Sequence, residues 1–367
     1  MTPHASTTYL LAGGGTAGHV NPLLAVADAL RAREPEASVL VLGTKEGLEA
    51  RLVPARGYEL LIVDKVPFPR RPNAAAVRFP VAWSRAVAQV RRHIRERGVD
   101  VVVGFGGYAS APAYVAARRE GIPYVVHEAN ARPGLANVLG ARRAAGTGVV
   151  FEGTPLRGAR VVGMPLRREI VDLDRAALRA EAAAAFGLDA TRPVLLVFGG
   201  SLGARRLNET LAEAWPEIVA AGWQILHAVG ERNEIVDSAH PDYRVVPYLD
   251  RMDLAFALAD VVVARSGAAT VSEVTALGIP AVYVPYAVGN GEQALNAAAA
   301  VRAGAARLIP DGEFTPDRVR GEVVPLLADP ETLGALRAAA EASAPAARAG
   351  TAAVVALIDE ALGRSAR

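Results

Sequence analysis

At 367 residues the chain is long enough for two domains of ordinary size, and with 51% hydrophobic and 21% charged residues it can bury large cores, which excludes disorder. A formal charge of +2 carries no implication of nucleic acid, and the basic side is almost all arginine, Lys45 and Lys65 being the only lysines. The lack of cysteine excludes disulfides and thiolate metal sites and permits a reducing compartment.

The first expected strand, Tyr9 to Ala12, runs into a glycine turn, Gly13-Gly14-Gly15-Thr16-Ala17-Gly18-His19. Asn21 as cap and Pro22 at the first helical position then open a helix over Leu23 to Arg33. Strands follow at Ser38 to Gly43, Tyr58 to Val63 and Val99 to Gly104, the last entering a second glycine turn, Gly104 to Ser110. A helix over Ala111 to Glu120 leads to the strand Ile122 to His127, which ends in His127-Glu128-Ala129-Asn130. Continuous runs of Val, Leu, Ile and Ala alternating with helices describe a parallel sheet covered on both faces.

The pattern restarts after Val161 to Pro165 with a helix over Arg175 to Phe186 and a strand, Pro193 to Phe198. A third glycine turn, Gly199-Gly200-Ser201-Leu202-Gly203-Ala204, opens the helix Arg205 to Ala221. Further strands are expected at Ile225 to Val229, Val245 to Tyr248, Val261 to Val263 and Ala281 to Pro285. The last two enclose a small-residue turn and a helix from Gly267 to Gly278. Beyond Pro330 the chain is alanine-rich and helical.

The expectation is two doubly wound, Rossmann-like α/β domains, residues 1–163 and 164–342, with a tail helix, 343–367, returning to the first. Ligands of open α/β sheets sit beyond the carboxyl ends of the strands, where all the glycine turns lie, so two such domains facing each other would make one cleft. No apolar run approaches the roughly eighteen residues of a membrane span. The N-terminus, MTPHASTTYLLAGGG, lacks the basic start of a signal peptide, so the cytoplasm is the expected compartment.

Gly13, Gly15 and Gly18 match the dinucleotide fingerprint in form, but the second strand ends in Thr44 and Lys45 where an acid should hold the ribose, which disfavours nicotinamide. His19 at the mouth of the turn is either a polar residue satisfying local backbone or a general base, kept neutral beside a helix N-terminus. The third turn lacks the lysine of a nucleotide-hydrolysing loop, yet its glycines and the Ser201 hydroxyl can cradle a diphosphate. The turn before Ala268 is a second anion seat, and Glu273 on its helix can accept hydrogen bonds from a polyol such as a ribose.

The six histidines show no paired spacing, and Asp174 of Asp172-Leu173-Asp174 reads as a helix N-cap, so no metal is expected. Between Val66 and Arg95 there is no acidic residue. Arg70, Arg71, Arg78, Arg85, Arg91 and Arg92 are interleaved there with Phe68, Phe79, Val81 and Trp83. Such a segment suits an anionic bilayer surface, its alternative being a solvated helix with a few core aromatics.

Taken together, Gly14 to His19, Gly106 to Ser110, His127 to Asn130, Gly199 to Ala204 and Arg265 to Glu273 resemble, in order, the bacterial peptidoglycan glycosyltransferases of the MurG family. The resemblance spans Leu10 to about Arg307. It implies the GT-B fold, two Rossmann-like domains facing a central cleft. It also implies inverting transfer of N-acetylglucosamine from UDP-N-acetylglucosamine to the 4-hydroxyl of the muramoyl-pentapeptide on undecaprenyl diphosphate. That acceptor is lipid I and the product lipid II. Neither metal nor cofactor is implied, and the enzyme would lie peripherally on the cytoplasmic side of the cell membrane, against anionic lipids.

By the same resemblance His19 is the candidate base. Donor contacts fall to Thr16, Ala17, Gly18, Asn130, Arg167, Ser201, Leu249, Ala268, Ala269, Thr270, Val271, Ser272, Glu273 and Gln293. The acceptor diphosphate falls to Gly14, Gly15, Gly106, Gly107 and Tyr108, and the membrane to Arg78, Phe79, Trp83 and Arg85. The chain departs from the family at Ala17, commonly glycine, at Ala129, frequently glutamine, and at Glu292, commonly the first of a glutamine pair. A sugar-nucleotide 2-epimerase and a non-catalytic nucleotide-sugar sensor are the alternatives.

Overall fold

A computed structural model describes residues 6–69, 74–200, 203–233, 240–286 and 291–364. Ser201, Arg70 and Arg71 lie outside the described residues. The chain divides into two units, Met1–Arg167 with Arg348–Arg367, and Arg168–Ala347.

Unit 1 is built on seven parallel strands: β1 (Thr8–Ala12), β2 (Ser38–Gly43), β3 (Glu59–Ile62), β4 (Val101–Gly104), β5 (Tyr124–Glu128), β6 (Gly146–Val149) and β7 (Ala159–Val161), in the order β3-β2-β1-β4-β5-β6-β7. Its helices are α1 (Ala17–Arg33), α2 (Glu49–Ala55), α3 (Ala74–Arg97), α4 (Ser110–Glu120) and α5 (Leu135–Gly140). In β1 the two-residue side-chain period sends Leu10 and Ala12 into a layer shared with Val87 and Val90 of α3 and Ala113 of α4. Tyr9 and Leu11 enter the opposite layer, with Leu23, Val26 and Leu30 of α1.

That second layer is completed by Val354, Leu357 and Ile358 of the closing helix, Gly350–Ala361. Fully burying each such side chain is worth about 1.5–3 kcal/mol, which fastens the tail to this sheet. Gly146 and Gly148 in β6 make room for it, since a Cβ on Gly146 would lie 2.6 Å from Leu357.

Unit 2 has six parallel strands: β8 (Val194–Phe198), β9 (Gln224–Ala228), β10 (Tyr243–Val246), β11 (Val261–Ala264), β12 (Ala281–Tyr283) and β13 (Ala306–Leu308), ordered β10-β9-β8-β11-β12-β13. Its helices include α6 (Arg168–Val171), α7 (Arg175–Phe186), α8 (Arg205–Ala220), α9 (Met252–Leu258), α10 (Ala268–Ala276) and α11 (Glu292–Arg302). Leu207, Leu211 and Ile218 of α8 pack on Leu195 and Val197 of β8, with Phe314 fully buried beside them. In both sheets the strand order reverses at one place, between β1 and β4 and between β8 and β11. That is where an open α/β sheet takes its ligand.

The units divide at Arg167 and Ala347, not at 163 and 342, and most elements begin or end within two residues of expectation; two of the shifts have a physical cause. Helix α1 starts at Ala17, with Thr16 in the extended N-cap conformation (φ −125°, ψ 159°) and Pro22 inside the helix. The Thr16 carbonyl accepts from the amides of His19 and Val20, so the first turn closes before the proline. Asn21 is therefore no cap, and Pro22, with no N–H, costs one intrahelical bond, to Gly18. Strand β10 begins at Tyr243, paired with Ile225, because the Tyr243 ring is buried and stacks on Trp215. Tyr248 is left exposed.

Candidate active site

In unit 1 the site forms where β1 and β4 diverge. Gly15 has φ +90° and Gly107 φ +80°, conformations that favour glycine. The two turns touch, since a Cβ on Gly107 would lie 2.5 Å from the Gly14 carbonyl oxygen. Against the inner side of the first turn sits Glu49, a fully buried carboxylate. Its Oε2 accepts from the Gly15 amide at 2.8 Å, and its Oε1 accepts from the Thr44 amide at 2.9 Å and the Thr44 hydroxyl at 2.8 Å. Burial alone pushes its pKa up, but these bonds outweigh it and hold the carboxyl below its ordinary value.

His19 lies at the start of α1 with Nδ1 3.0 Å from the Gly14 carbonyl oxygen and 3.3 Å from Thr16 Oγ1. A carbonyl can only accept, so Nδ1 carries a proton, and in the neutral ring Nε2 is left with the lone pair. A Cβ on Gly106 would lie 3.0 Å from that Nε2, so the glycine lets the ring approach the second turn.

This geometry redistributes the residues expected to hold a diphosphate. The Gly15 amide is committed to Glu49, Gly14 is packed against the same carboxylate, and the Gly106 amide donates to Ser110 Oγ at 3.0 Å. What remains toward solvent is the start of α1, with Thr16 and Ala17 exposed and Gly18 half-buried, and the tip of the second turn, with Gly107 half-buried and Tyr108 exposed. Lys65 adds a cation there, its Nζ 5.1 Å from the Tyr108 ring.

The His127-to-Asn130 motif is a buried brace. Glu128 accepts from the amides of Asn130 and Gly134, both at 2.9 Å, and from Asn137 Nδ2 at 3.0 Å. Asn137 in turn accepts from the Tyr114 hydroxyl at 2.8 Å. His127 donates from Nε2 to the Gly163 carbonyl at 3.1 Å, and burial lowers its pKa to about 4, which keeps the ring neutral. Asn130 is half-buried at the end of the brace, Ala129 is buried, and Arg167 is half-buried at the last position of the main segment of unit 1.

In unit 2 the equivalent place lies beyond β8 and β11. Gly200 has φ +94°, and a Cβ on Gly203 would lie 1.9 Å from the Val229 carbonyl oxygen, so the turn before α8 needs both glycines. A cavity of about 640 Å³ opens there, lined by Gly199, Arg206, Arg265, Tyr286, Gln293 and Asp311 among others. Asp311 pairs with Arg265 at 2.5 Å and with Arg206 at 3.4 Å. Arg265 also donates to the Val284 carbonyl at 3.0 Å, and its guanidinium lies 5.4 Å from the Tyr286 ring. Two arginines against one aspartate leave this mouth positive.

Gln293 accepts from the Tyr286 amide at 2.9 Å, so its side-chain N–H₂ is the group offered to a ligand. Glu292 opens α11 behind Gly291 (φ +76°), where a carboxylate complements the helix dipole.

Helix α10 starts at Ala268 behind Gly267, and its periodicity sorts the expected donor residues. Ala269, Thr270 and Glu273 form a half-buried face, while Ala268, Val271 and Ser272 are buried. Val271 and Ser272 therefore turn inward at about 100° per residue and can offer a ligand backbone alone. Leu249 is buried between β10 and α9, so it too can offer only its main chain. Ser266, just before α10, carries a buried hydroxyl with no partner among the described residues. The parts played by Glu49, Arg206 and Asp311 were not visible in motif spacing.

On α3 the exposed stripe is Val77, Arg78, Val81 and Arg85, with Val77 80% and Val81 65% exposed. Phe79 and Trp83 are half-buried, packed on Phe68 and the unit 1 core, with Phe79 and Trp83 rings stacked at 5.8 Å. Among the described residues no helix is long and apolar enough to cross a membrane.

The chain matches the glycosyltransferase family 28 N-terminal domain over residues 9–149 and the family 28 C-terminal domain over residues 194–353. It is 65% identical over 335 residues to the UDP-N-acetylglucosamine–N-acetylmuramyl-(pentapeptide) pyrophosphoryl-undecaprenol N-acetylglucosamine transferase of Clavibacter sepedonicus, covering 91% of each chain. It is 60% identical to the protein of the same description from Leifsonia xyli subsp. xyli, covering 96% of this chain and 98% of that one. Among solved structures it is similar to Acinetobacter baumannii MurG, with a TM-score of 0.75 at 29% identity, covering 97% of this chain and 100% of the other.

Proposed function

This chain belongs to the MurG family of glycosyltransferases, and we propose on that premise that unit 2 holds the nucleotide-sugar donor while unit 1 binds the acceptor diphosphate and supplies the base. It transfers N-acetylglucosamine from UDP-N-acetylglucosamine to lipid I, forming lipid II in peptidoglycan synthesis. The observation that carries the assignment of the base is the His19 bond to the Gly14 carbonyl, which leaves Nε2 able to take a proton.

In the proposed reaction the acceptor 4-hydroxyl attacks the anomeric carbon in line with departing UDP, inverting it. His19 Nε2 removes the hydroxyl proton as the bond forms. The diphosphate that leaves is stabilised by first-turn amides of α8 and α10 and by the positive mouth at Arg206 and Arg265. These groups supply the charge stabilisation in place of a divalent ion. Glu273 accepts from the ribose hydroxyls, and Gln293 donates to a sugar hydroxyl oxygen.

Glu273→Ala is expected to weaken UDP-N-acetylglucosamine binding about 10- to 100-fold, the worth of a hydrogen bond to a charged group, with an unchanged circular dichroism spectrum. Titration calorimetry reads it directly. Wild-type affinity in the variant would remove Glu273 from the donor site.

For the membrane, the exposed Arg78, Val81 and Arg85 support a peripheral seat on anionic lipid at the cytoplasmic face, each arginine near the surface contributing about 1 kcal/mol. The triple variant Arg78→Ala, Val81→Ser, Arg85→Ala is expected to lose roughly tenfold or more in binding to phosphatidylglycerol vesicles, with turnover of a short-chain soluble acceptor retained. Undiminished co-sedimentation would end this part of the reading.

A further inference from the structure

Glu49 and His19 do not touch, yet one peptide group joins them. The amide N–H of Gly15 donates to Glu49 Oε2 at 2.8 Å, and the carbonyl of Gly14, on the other side of the same peptide bond, accepts from His19 Nδ1 at 3.0 Å. A carboxylate at the N–H end of a peptide draws electron density toward its oxygen and strengthens that oxygen as an acceptor, as in any hydrogen-bonded chain. The line therefore runs from the fully buried Glu49 carboxylate, through the Gly14–Gly15 peptide, to the imidazole.

The remaining groups around the ring do not give it a tautomer of their own. Thr16 Oγ1, at 3.3 Å from Nδ1, can donate or accept. His127 on the neighbouring strand is held neutral by burial, and Gly106 offers only space beside Nε2.

We propose that Glu49 is a positioning residue of the transfer reaction. Its charge, relayed by the Gly14–Gly15 peptide, holds His19 in the Nδ1–H tautomer and leaves Nε2, over Gly106, as the proton acceptor. The relay does for this base what a directly bonded carboxylate does for the histidine of a catalytic triad. Interposing a peptide keeps the carboxylate buried while the ring stays half-buried beside Gly106. Glu49 also closes the inner side of the turn, because a Cβ on Gly14 would lie 2.3 Å from its Oε1. The proposal rests on the reading of His19 as base, and the experiment separates the two.

The full-length protein, labelled with ¹⁵N-histidine, is observed by long-range ¹H–¹⁵N correlation at a pH where His19 is neutral. The His19→Ala variant assigns the signal. The expected wild-type pattern is protonated Nδ1 and bare Nε2, and a predominant Nε2–H pattern would overturn the relay without any variant being made. Glu49→Gln is expected to shift population toward Nε2–H and to lower kcat about tenfold with KM for donor and acceptor within about twofold. Thr44→Val removes a bond to Glu49 Oε1 while sparing the charge and the Gly15 contact, so it is expected to lower the melting temperature and leave the tautomer as it is. Loss of the Nδ1–H tautomer in Thr44→Val as well would make local folding, not the relay, the cause. An inactive His19→Ala beside a Glu49→Gln of normal tautomer and kcat sinks the relay alone. A His19→Ala of normal kcat removes the base assignment and the relay with it.

Discussion

His19→Ala is expected to lower kcat by about 10²- to 10⁴-fold, the usual worth of a positioned general base, while leaving affinity for UDP-N-acetylglucosamine within about twofold. The reason is that the His19 ring lies against Gly14, Thr16 and Gly106 of unit 1, whereas the donor is proposed to sit in unit 2. Loss of proton acceptance should also flatten the acidic limb of the profile of kcat/KM against pH. Steady-state kinetics with labelled donor and a lipid I analogue measure both quantities. A variant that keeps kcat and the acidic limb would return His19 to the role of a turn residue satisfying its own backbone.

The second large effect is on stability. His127 in unit 1 and His227 in unit 2 are both buried, and burial lowers each pKa to about 4. His227 is held neutral in a chain of its own, 2.9 Å from the Tyr243 hydroxyl through Nδ1 and 3.2 Å from Asn208 Oδ1 through Nε2. An unfolded histidine takes up its proton near pH 6.5, so between about 6.5 and 4 the unfolded chain binds more protons than the folded one. Stability is therefore full above that range and falls as pH drops through it.

At pH 5 the loss is about 2 kcal/mol for each unit, which for domains of this size lowers each melting transition by roughly 4–8 °C relative to pH 7.5. Carboxylates held low in the fold, such as Glu49, add most of their share below about pH 4.5, so at pH 5 the histidines dominate. Calorimetric scans at pH 7.5 and 5.0 give the comparison. His227→Gln, which cannot titrate, should flatten the dependence of the unit 2 transition and leave that of unit 1. Identical transitions at the two pH values would mean that these rings are protonated in the fold.

The glycine turns were legible in the sequence because their need is local. Where a strand turns into a helix through left-handed backbone, glycine marks the place, as at Gly15, Gly107, Gly200 and Gly203. The parallel sheets were legible because strands covered on both faces read as unbroken apolar runs. The groups that hold the turns in place were not. Glu49 is 34 residues from the amide it holds, and the Ser110 hydroxyl, which braces the second turn, reaches the Ala12 carbonyl 98 positions away.

Arg265 stood in a recognised motif, but its partner Asp311 sits in a stretch with no motif at all. The direction in which Val271 and Ser272 face depends on where α10 begins, and the start of α1 depended on Thr16 capturing two amides, a choice that the tempting Asn21-Pro22 pair conceals. Residue type and spacing identified which loops matter, and long-range pairing decided which of their atoms are available.

The helix Gly350–Ala361 has a consequence for how the chain is made. Its Val354, Leu357 and Ile358 cover one face of a sheet whose strands all lie before residue 162. Between the two parts the ribosome must deliver unit 2, 168–347, which is 180 residues by subtraction. At about 5–20 residues per second this takes roughly 10–40 s, during which Tyr9, Leu11 and Val125 wait for their last cover. Unit 2, being continuous, can finish first, so the later half of the gene gives the earlier complete domain. A nascent chain halted before residue 350 would display an apolar sheet face to the chaperones that patrol the tunnel exit.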